Sequence, residues 1–479
     1  QVGPSPAPSS FLPSAKTFEK GKMAIQKGNR QRAVMKAAVG AGVAASAASL
    51  APAFAATAPL SRLGQGSVAG GSASEVRRGA AGGLSEVGLA ATAPRASALI
   101  PGLCVAAAAA VAVSKRRTRP SATASRASVV VDVVARAAGK VGCVGIVGCS
   151  GAVGVEMLKC LEDRNFPTEN VRLFAKRSAG TLVKSKFGDI VVEPFSVEAA
   201  QECEICLLAV SGTFSEEFSP LIIGGPKGTQ VVDNSSAWRY DPKIPLVVPE
   251  INGEGFGTAP LVANPNCTTA VGAMALWPIH QKYKLKKVLM CTYQAASGAG
   301  AEGMAELENG LKAWAKDGVV SKNEFFAHQL PFNVIPQIDA FQENGYTKEE
   351  MKVTWELKKI FNLSDDVKVS CTAVRVPTLR AHSESIVVET EEPINPDDVR
   401  ELMRISQGVK VVDDPGALLY PMPLNATGQA DVEVGRIRQS LVFGKHGIEF
   451  FVSGDQLLRG AALNAVIIAE DAVHARLSK

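Results

Sequence analysis

The stretch from Val141 to Phe166 constrains the fold more than any other part of the chain. VGCVGIVG is a short β-branched run ending in glycine, and VEMLKCLEDRNF then sets Val155, Leu158, Leu161 and Phe166 at near-helical spacing. Between them, Gly148-Cys149-Ser150-Gly151-Ala152-Val153-Gly154 reads G-x-x-G-x-x-G. Placed between a strand and a helix, such glycines permit a tight turn, let backbone N–H groups approach a pyrophosphate, and face its charge with a helix N-terminus. The motif predicts a Rossmann-like α/β domain with Gly148, Ser150, Gly151, Ala152, Val153 and Gly154 at the phosphates. Where an acidic residue would select the ribose hydroxyl of NAD, the sequence offers Lys176, Arg177 and Ser178, which suit a 2′-phosphate, so NADP is the expected cofactor.

Apolar runs at 171–175, 205–210, 230–233 and 246–248 continue the expected βαβ alternation. A mixed α+β region follows over 266–454, with strands expected at 287–293, 367–376 and 385–389 and helices at 300–316 and 347–360. The last residues, from Gly460 on, suit an amphipathic helix. The 479 residues leave room for about two to three domains.

Charge divides the chain unevenly. Residues 1–136 hold 17 Lys+Arg against 4 Asp+Glu, and the remainder holds 34 against 42. An acidic body argues against a nucleic-acid binder, which needs a basic surplus for phosphate contact. The Ala/Ser/Gly/Arg-rich segment 1–136 has targeting composition. We expect a disordered leader directing import into a plastid (the chloroplast stroma), with a mitochondrion as the alternative. The apolar run 98–113 is shorter than the ~20 residues that span a bilayer, though it could act as a marginal stop-transfer element. With the apolar stretch 37–58 it makes the leader look bipartite. Because the chain opens on Gln1, further residues are expected upstream. The body after residue 140 is expected to be soluble.

Nine cysteines without framework spacing read as reduced thiols. Cys203 and Cys206 form a C-x-x-C within the strand-like CEICLLAV, with no second pair to complete a zinc site, so we expect no metal. Cys267 differs from the others. In Asn264-Pro265-Asn266-Cys267-Thr268-Thr269 a turn precedes a helix that Asn or Thr can cap. This puts the thiol at a helix N-terminus, where the dipole is expected to lower its pKa. A thiolate beside a nicotinamide suggests addition to an aldehyde, hydride transfer and release of a thioester acyl group. Of five histidines, His382 is the best placed as a base, in a segment whose Arg375 and Arg380 are expected to help hold a thiolate and keep the imidazole neutral.

With these motifs in view, the region 141–479 resembles the aspartate-semialdehyde dehydrogenase family. GIVGCSGAVG, DNSSAWRYD, PLVVPEIN, NPNCTTA, TYQAASGAG, FNVIPQID, RVPTLRAHSE, VGRIRQ and GDQLLRGAALNAV agree in order and spacing. The resemblance implies that Cys267 is the acyl-enzyme nucleophile, His382 the acid/base and Gln294 an amide orienting substrate. It further implies that Arg375 binds the α-carboxylate and Glu349 the α-ammonium, while Lys352, Arg239 and Asn266 surround the phosphate and Gln456 contacts the cofactor. The implied reaction is NADPH-dependent reductive dephosphorylation of L-aspartyl 4-phosphate to aspartate 4-semialdehyde, in lysine, threonine and methionine biosynthesis. The implied architecture is an NADP-binding domain over 141–265, to which 455–479 return, and a catalytic and dimerisation domain over 266–454, assembled as a homodimer. The glycine loop departs from the family in carrying Cys149-Ser150 where Ala-Thr is common, which raises the question of oxidation there. Two rival readings are an N-acetyl-γ-glutamyl-phosphate reductase, for which an acidic Glu349 would be unhelpful, and a non-catalytic dinucleotide-binding sensor.

Overall fold

The computed structural model describes residues 139–254 and 256–477; the expected leader, 1–136, lies outside them. Strand β1 (Val141–Val147) runs into a turn where Gly148 adopts φ +87°, and α1 (Ala152–Asp163) begins directly after it. A Cβ on Gly148 would lie 2.3 Å from the Ala209 carbonyl oxygen, and one on Gly154 would lie 2.3 Å from that of Gly148. Both positions are therefore closed to any larger residue.

The chain continues through β2 (Thr168–Phe174), the hairpin β3 (Leu182–Ser185) and β4 (Gly188–Val191), and α2 (Val197–Gln201). Then come β5 (Ile205–Leu208), α3 (Gly212–Ile223), β6 (Gln230–Asp233), α4 (Pro249–Asn252) and β7 (Leu261–Ala263). Strands β2-β1-β5-β6-β7, in that order, form a parallel sheet. Every residue of β5 and β6 is buried, as a sheet covered on both faces requires.

The second sheet has the order β11-β12-β13-β10-β8-β9. Its strands are β8 (Leu285–Gln294), β9 (Lys368–Arg375), β10 (His382–Thr390), β11 (Val409–Val411), β12 (Val432–Ser440) and β13 (Gly444–Gly454). Five helices accompany it: α5 (Cys267–Tyr283), α6 (Gly300–Asp317), α7 (Lys348–Phe361), α8 (Pro396–Arg404) and α9 (Pro423–Ala426). Helix α5 packs Val271, Met274 and Ala275 into the core formed by Val288, Met290, Ile386 and Val388 of the sheet. The chain then returns through a π-helical turn, Leu458–Ala462, into α10 (Leu463–Leu477), whose Val466, Ile468 and Val473 share a core with β1 and α1.

One polar link ties the returning helix to the first sheet, and another joins the halves. Asn464 Nδ2 donates to Asn264 Oδ1 at 2.6 Å, and Asn264 Nδ2 to Asn234 Oδ1 at 2.7 Å. Arg380 binds Glu156 of α1 at 3.0 Å and the fully buried Asp455 at 2.7 Å.

Three sequence expectations need correction. Residues 246–248 are buried but make only an isolated bridge, Leu246 to Ala263, before Pro249 opens α4. Burial rather than ladder pairing explains their apolar character. Strands β12 and β13 went unread. A register shift between Gly435 and Arg438, with Arg436 at φ +55°, breaks the alternation in β12. Arg380 does not flank the imidazole electrostatically, because its guanidinium is committed to Glu156 and Asp455. Cys203 and Cys206 are fully buried, with Cys143 Sγ 3.1 Å from Cys203 Sγ; burial contributes to raising the Cys203 thiol, which leaves it protonated. Among the described residues, no helix is long and apolar enough to cross a membrane.

Candidate active site

Strand register assembles half of the site. Gln294 and Arg375 are partners at the ends of the parallel strands β8 and β9. His382 opens the antiparallel β10, where Ser383 faces Tyr293, so all three side chains gather at one edge of the sheet. Arg375 Nη1 is steadied by the Ala295 carbonyl at 2.6 Å.

The nucleophile candidate arrives from the other side. Asn266 caps α5, its Oδ1 accepting from the N–H groups of Thr268 at 3.0 Å and Thr269 at 3.2 Å. Cys267 is therefore the first helical residue, and its Sγ lies 3.5 Å from His382 Nε2. The amide N–H of Ala295 donates to His382 Nδ1 at 3.1 Å. In the neutral ring this places the proton on Nε2, aimed at sulfur. The expectation of an imidazole free to take the thiol proton is thereby corrected: the ring is set to donate, and a further proton requires the Ala295 bond to break. Gly298 makes this approach possible, since a Cβ there would lie 3.0 Å from His382 Nε2 and from Arg375 Nη1.

Helix α7 brings the opposing charges. A capping box between Thr347 and Glu350 fixes its start, and Glu350 Oε1 also accepts from Ala373 N of β9 at 2.9 Å. Glu349 Oε1 accepts from Asn266 Nδ2 at 3.0 Å and Gln294 Nε2 at 3.1 Å, and Glu349 Oε2 pairs with Lys352 Nζ at 2.9 Å. Lys352 is held equally by Asp339, also at 2.9 Å. Asp339 was not singled out by sequence reasoning, although it ends the FNVIPQID motif. Arg239 donates to the carbonyls of Asn264 at 2.8 Å and Asn234 at 2.7 Å.

A cleft of about 290 Å³ collects Cys267, Gln294, Arg375, Glu349, Lys352, Arg239, Asn266 and Gln456, and Val153 of α1 joins the same lining. Gln456 is nearly inaccessible: its Oε1 accepts from Ala381 N at 2.8 Å and its Nε2 meets Ser297 Oγ. Its amide thus holds the residue before His382, and Ala381 is itself at φ +68°.

The electrostatics reverse one expectation. Burial, followed by the Glu349 carboxylate, pushes the Cys267 thiol up to about 11 against the pull of Arg239, Arg375 and Lys352. The helix dipole alone was a poor guide. Burial and then Arg375 press His382 down to about 3, so the imidazole is neutral. Burial also opposes the Glu349 carboxylate, but Lys352, Asn266 and Gln294 outweigh it and hold the group at about 2.

The glycine loop fits a dinucleotide phosphate. Helix α1 has no side-chain cap, and a Cβ on Gly151 would meet only the Gly148 oxygen, at 3.5 Å, so the approach to the helix N-terminus is open. Ser150 is exposed, whereas Cys149 is turned into the core, where burial raises its thiol. After β2, Lys176 and Arg177 are exposed beside Ser178, whose buried Oγ has no hydrogen-bond partner. That orphaned hydroxyl, next in sequence to two cations, is what a bound phosphate would satisfy.

Comparison with known proteins is consistent with this geometry. The family model for a semialdehyde dehydrogenase NAD-binding domain matches residues 143–259, and that for a semialdehyde dehydrogenase dimerisation domain matches 276–459. The chain is 44% identical over 323 residues to aspartate-semialdehyde dehydrogenase of Aquifex aeolicus, covering 66% of this chain and 94% of that protein. To the Bacillus subtilis protein of the same name it is 43% identical over 327 residues, covering 66% and 93%. Among solved structures, Vibrio cholerae aspartate semialdehyde dehydrogenase II complexed with ASA superposes with a TM-score of 0.66 at 36% identity, over 70% of this chain and 99% of that one. The Candida albicans aspartate semialdehyde dehydrogenase with NADP shares the fold, with a TM-score of 0.55 at 23% identity over 70% of this chain and all of that one.

Proposed function

The chain belongs to the aspartate-semialdehyde dehydrogenase family, and on that premise we propose that it uses NADP and a Cys267 thioester to interconvert L-aspartyl 4-phosphate and aspartate 4-semialdehyde. The observation that carries this reading is Cys267 Sγ, 3.5 Å from His382 Nε2, in a cleft where Glu349 and Arg375 supply opposite charges.

Each part of the substrate has a counterpart. Arg375 is a planar partner for the α-carboxylate, Glu349 for the α-ammonium, and Lys352 with Arg239 and Asn266 for the phosphoryl group. Gln294, which donates to Glu349, orients the ammonium's acceptor. Cys267 attacks the acyl carbon, the carbon–oxygen bond to phosphate breaks, the thiol proton leaves on the departing phosphate, and a thioester remains. NADPH, when bound, supplies the hydride that reduces the thioester carbonyl. The resulting oxyanion expels the Cys267 thiolate, and the His382 Nε2–H, 3.5 Å from the sulfur, donates a hydrogen bond to that thiolate as it departs. Lys176, Arg177 and Ser178 support NADP over NAD at the ribose, and Gln456 supports the site by holding Ala381.

We infer a homodimer through the region matched to the dimerisation domain. Leu289 and Tyr293 stand exposed on β8, an apolar surface suited to a second copy. The biosynthetic direction would serve lysine, threonine and methionine formation, and import into a plastid rests on the composition of 1–136 alone.

The test is phosphate-dependent NADPH formation with aspartate semialdehyde and, separately, N-acetylglutamate semialdehyde, using wild type and Cys267→Ala. We expect turnover of the unacetylated substrate alone and its loss in the variant. Turnover of only the acetylated substrate, whose nitrogen has no charge for Glu349 to pair, would reverse the choice.

A further inference from the structure

We propose that Glu356 is a positioning residue that locks the phosphate-binding arginine to the nucleophile's turn. Glu356 lies two turns after Glu349 on α7 and is completely buried. Its Oε1 receives Arg239 Nη1 at 3.2 Å and Tyr240 Oη at 3.3 Å, and its Oε2 receives the backbone N–H of Asn266 at 2.6 Å. One carboxylate therefore joins the loop after β6 to the residue immediately before Cys267. The two segments also meet directly, Arg239 Nε donating to the Asn264 carbonyl at 2.8 Å, and Glu356 adds the ionic partner of the guanidinium.

The same face of α7 fastens that loop a second time. Lys359 Nζ donates to the carbonyls of Arg239 at 2.9 Å, Asp241 at 2.7 Å and Ile244 at 2.7 Å. A single helix thus presents Glu349 and Lys352 to the cleft, and one turn further on fixes the backbone and the guanidinium of Arg239. Glu356 itself does not line the cleft. Its work is geometric and electrostatic: it sets the distance from Arg239 to Cys267 and balances the guanidinium charge before an anion arrives. A lone buried carboxylate would be costly, and here Arg239 and the Asn266 N–H offset part of that cost, burial still holding the carboxyl above its usual range.

The inference rests on the reading of Arg239 as a phosphate ligand, so the experiment carries Arg239→Ala as a control. Glu356→Gln keeps the size and an acceptor for Asn266 but removes the charge facing Arg239. We expect the KM for inorganic phosphate to rise at least about tenfold, with kcat and the KM for aspartate semialdehyde within about threefold of wild type. Thermal unfolding and NADPH binding by fluorescence report that the variant is folded. A merely structural role would lower stability and kcat while leaving the phosphate KM in place. If Arg239→Ala raises the phosphate KM and Glu356→Gln does not, the inference is overturned and the proposed function stands. If neither variant raises it, both assignments fall. Should Glu356→Gln not fold, Glu356→Asp keeps the charge but is too short to reach both partners. We then expect the same selective rise at about a third of the size, and a uniform loss of kcat with unchanged phosphate KM would overturn the proposal.

Discussion

Replacing Glu349 by Gln should make the sulfur more reactive and the enzyme less active at once. The thiol stands at about 11 against an ordinary 9.0, with burial the first cause and the Glu349 carboxylate the second. A neighbouring like charge moves a titration by on the order of one pH unit, so losing the Glu349 carboxylate brings Cys267 down by about that much in the variant. At pH 8 the thiolate fraction then grows from about one in a thousand to about one in a hundred. A less basic thiolate is also a weaker nucleophile, with a Brønsted slope near 0.5, which trims the tenfold gain to about threefold. Lys352 keeps a carboxylate partner in Asp339, so the cationic side of the cleft survives the change. The assay is the pseudo-first-order rate of Cys267 alkylation by iodoacetamide between pH 7 and 10, read by peptide mass. Wild type should climb about tenfold per pH unit without a plateau, and the variant should lie about threefold above it at pH 8. Turnover of aspartate semialdehyde should meanwhile fall about 100-fold or more, since a buried charge partner is lost. A wild-type plateau near pH 7, or alkylation in the variant slower than in wild type, would refute the electrostatic account.

Gly460→Ala should cost about 100-fold in kcat, because its Cβ would lie 2.6 Å from Cys267 Cβ and 2.8 Å from its Cα, and the nucleophile's turn must move; steady-state kinetics with unchanged NADPH binding would check it. Lys176→Ala with Arg177→Ala should raise the KM for NADPH by about 10- to 100-fold and leave that for NADH unchanged, measured by initial rates with both cofactors. Acid should destabilise the fold through His382. Its folded pKa, about 3, lies below the ordinary 6.5, so the unfolded chain binds more protons between these values. The contribution is present above pH 6.5 and is lost as pH falls toward 3. The full span amounts to on the order of 5 kcal/mol, and urea unfolding at stepped pH should show a shallower decline in His382→Gln.

What could be read without coordinates was whatever local chain geometry decides. The strand, glycine turn and helix at 141–163 are set by side chains within one turn of each other, and so is the Asn266 cap on α5. The partnership of Gln294, Arg375 and His382 came through likeness, because only strand register brings their positions together. The thiol's ionisation was misjudged for a physical reason. A helix dipole acts from the thiol's own first turn, whereas burial and Glu349 act through tertiary structure that no local pattern encodes. The tautomer of His382 was hidden in the same way, being fixed by the backbone N–H of Ala295.

Two groups missed altogether, Glu356 and Asp339, share a further property with Gln456, which the resemblance had set at the cofactor. Glu356, Asp339 and Gln456 spend their polar atoms on protein partners, and each holds a residue that faces the cleft: Arg239, Lys352 and the Ala381 backbone before His382. Such residues leave no signature of charge or spacing, because their chemistry is complete without substrate. Their effect is to fix the cleft before substrate arrives. With Arg239, Lys352 and Arg375 already tied to Glu356, Asp339 and the Ala295 carbonyl, substrate needs to displace few bonds and reorganise little. The high thiol pKa fits the same design. Burial and then Glu349 keep the sulfur protonated in the open cleft, and a bound α-ammonium would offset that carboxylate and favour the thiolate. Cys267 alkylation slowed by phosphate but accelerated by a nonreactive α-amino acid would express that coupling, and an amine with no influence on the alkylation rate would dismiss it.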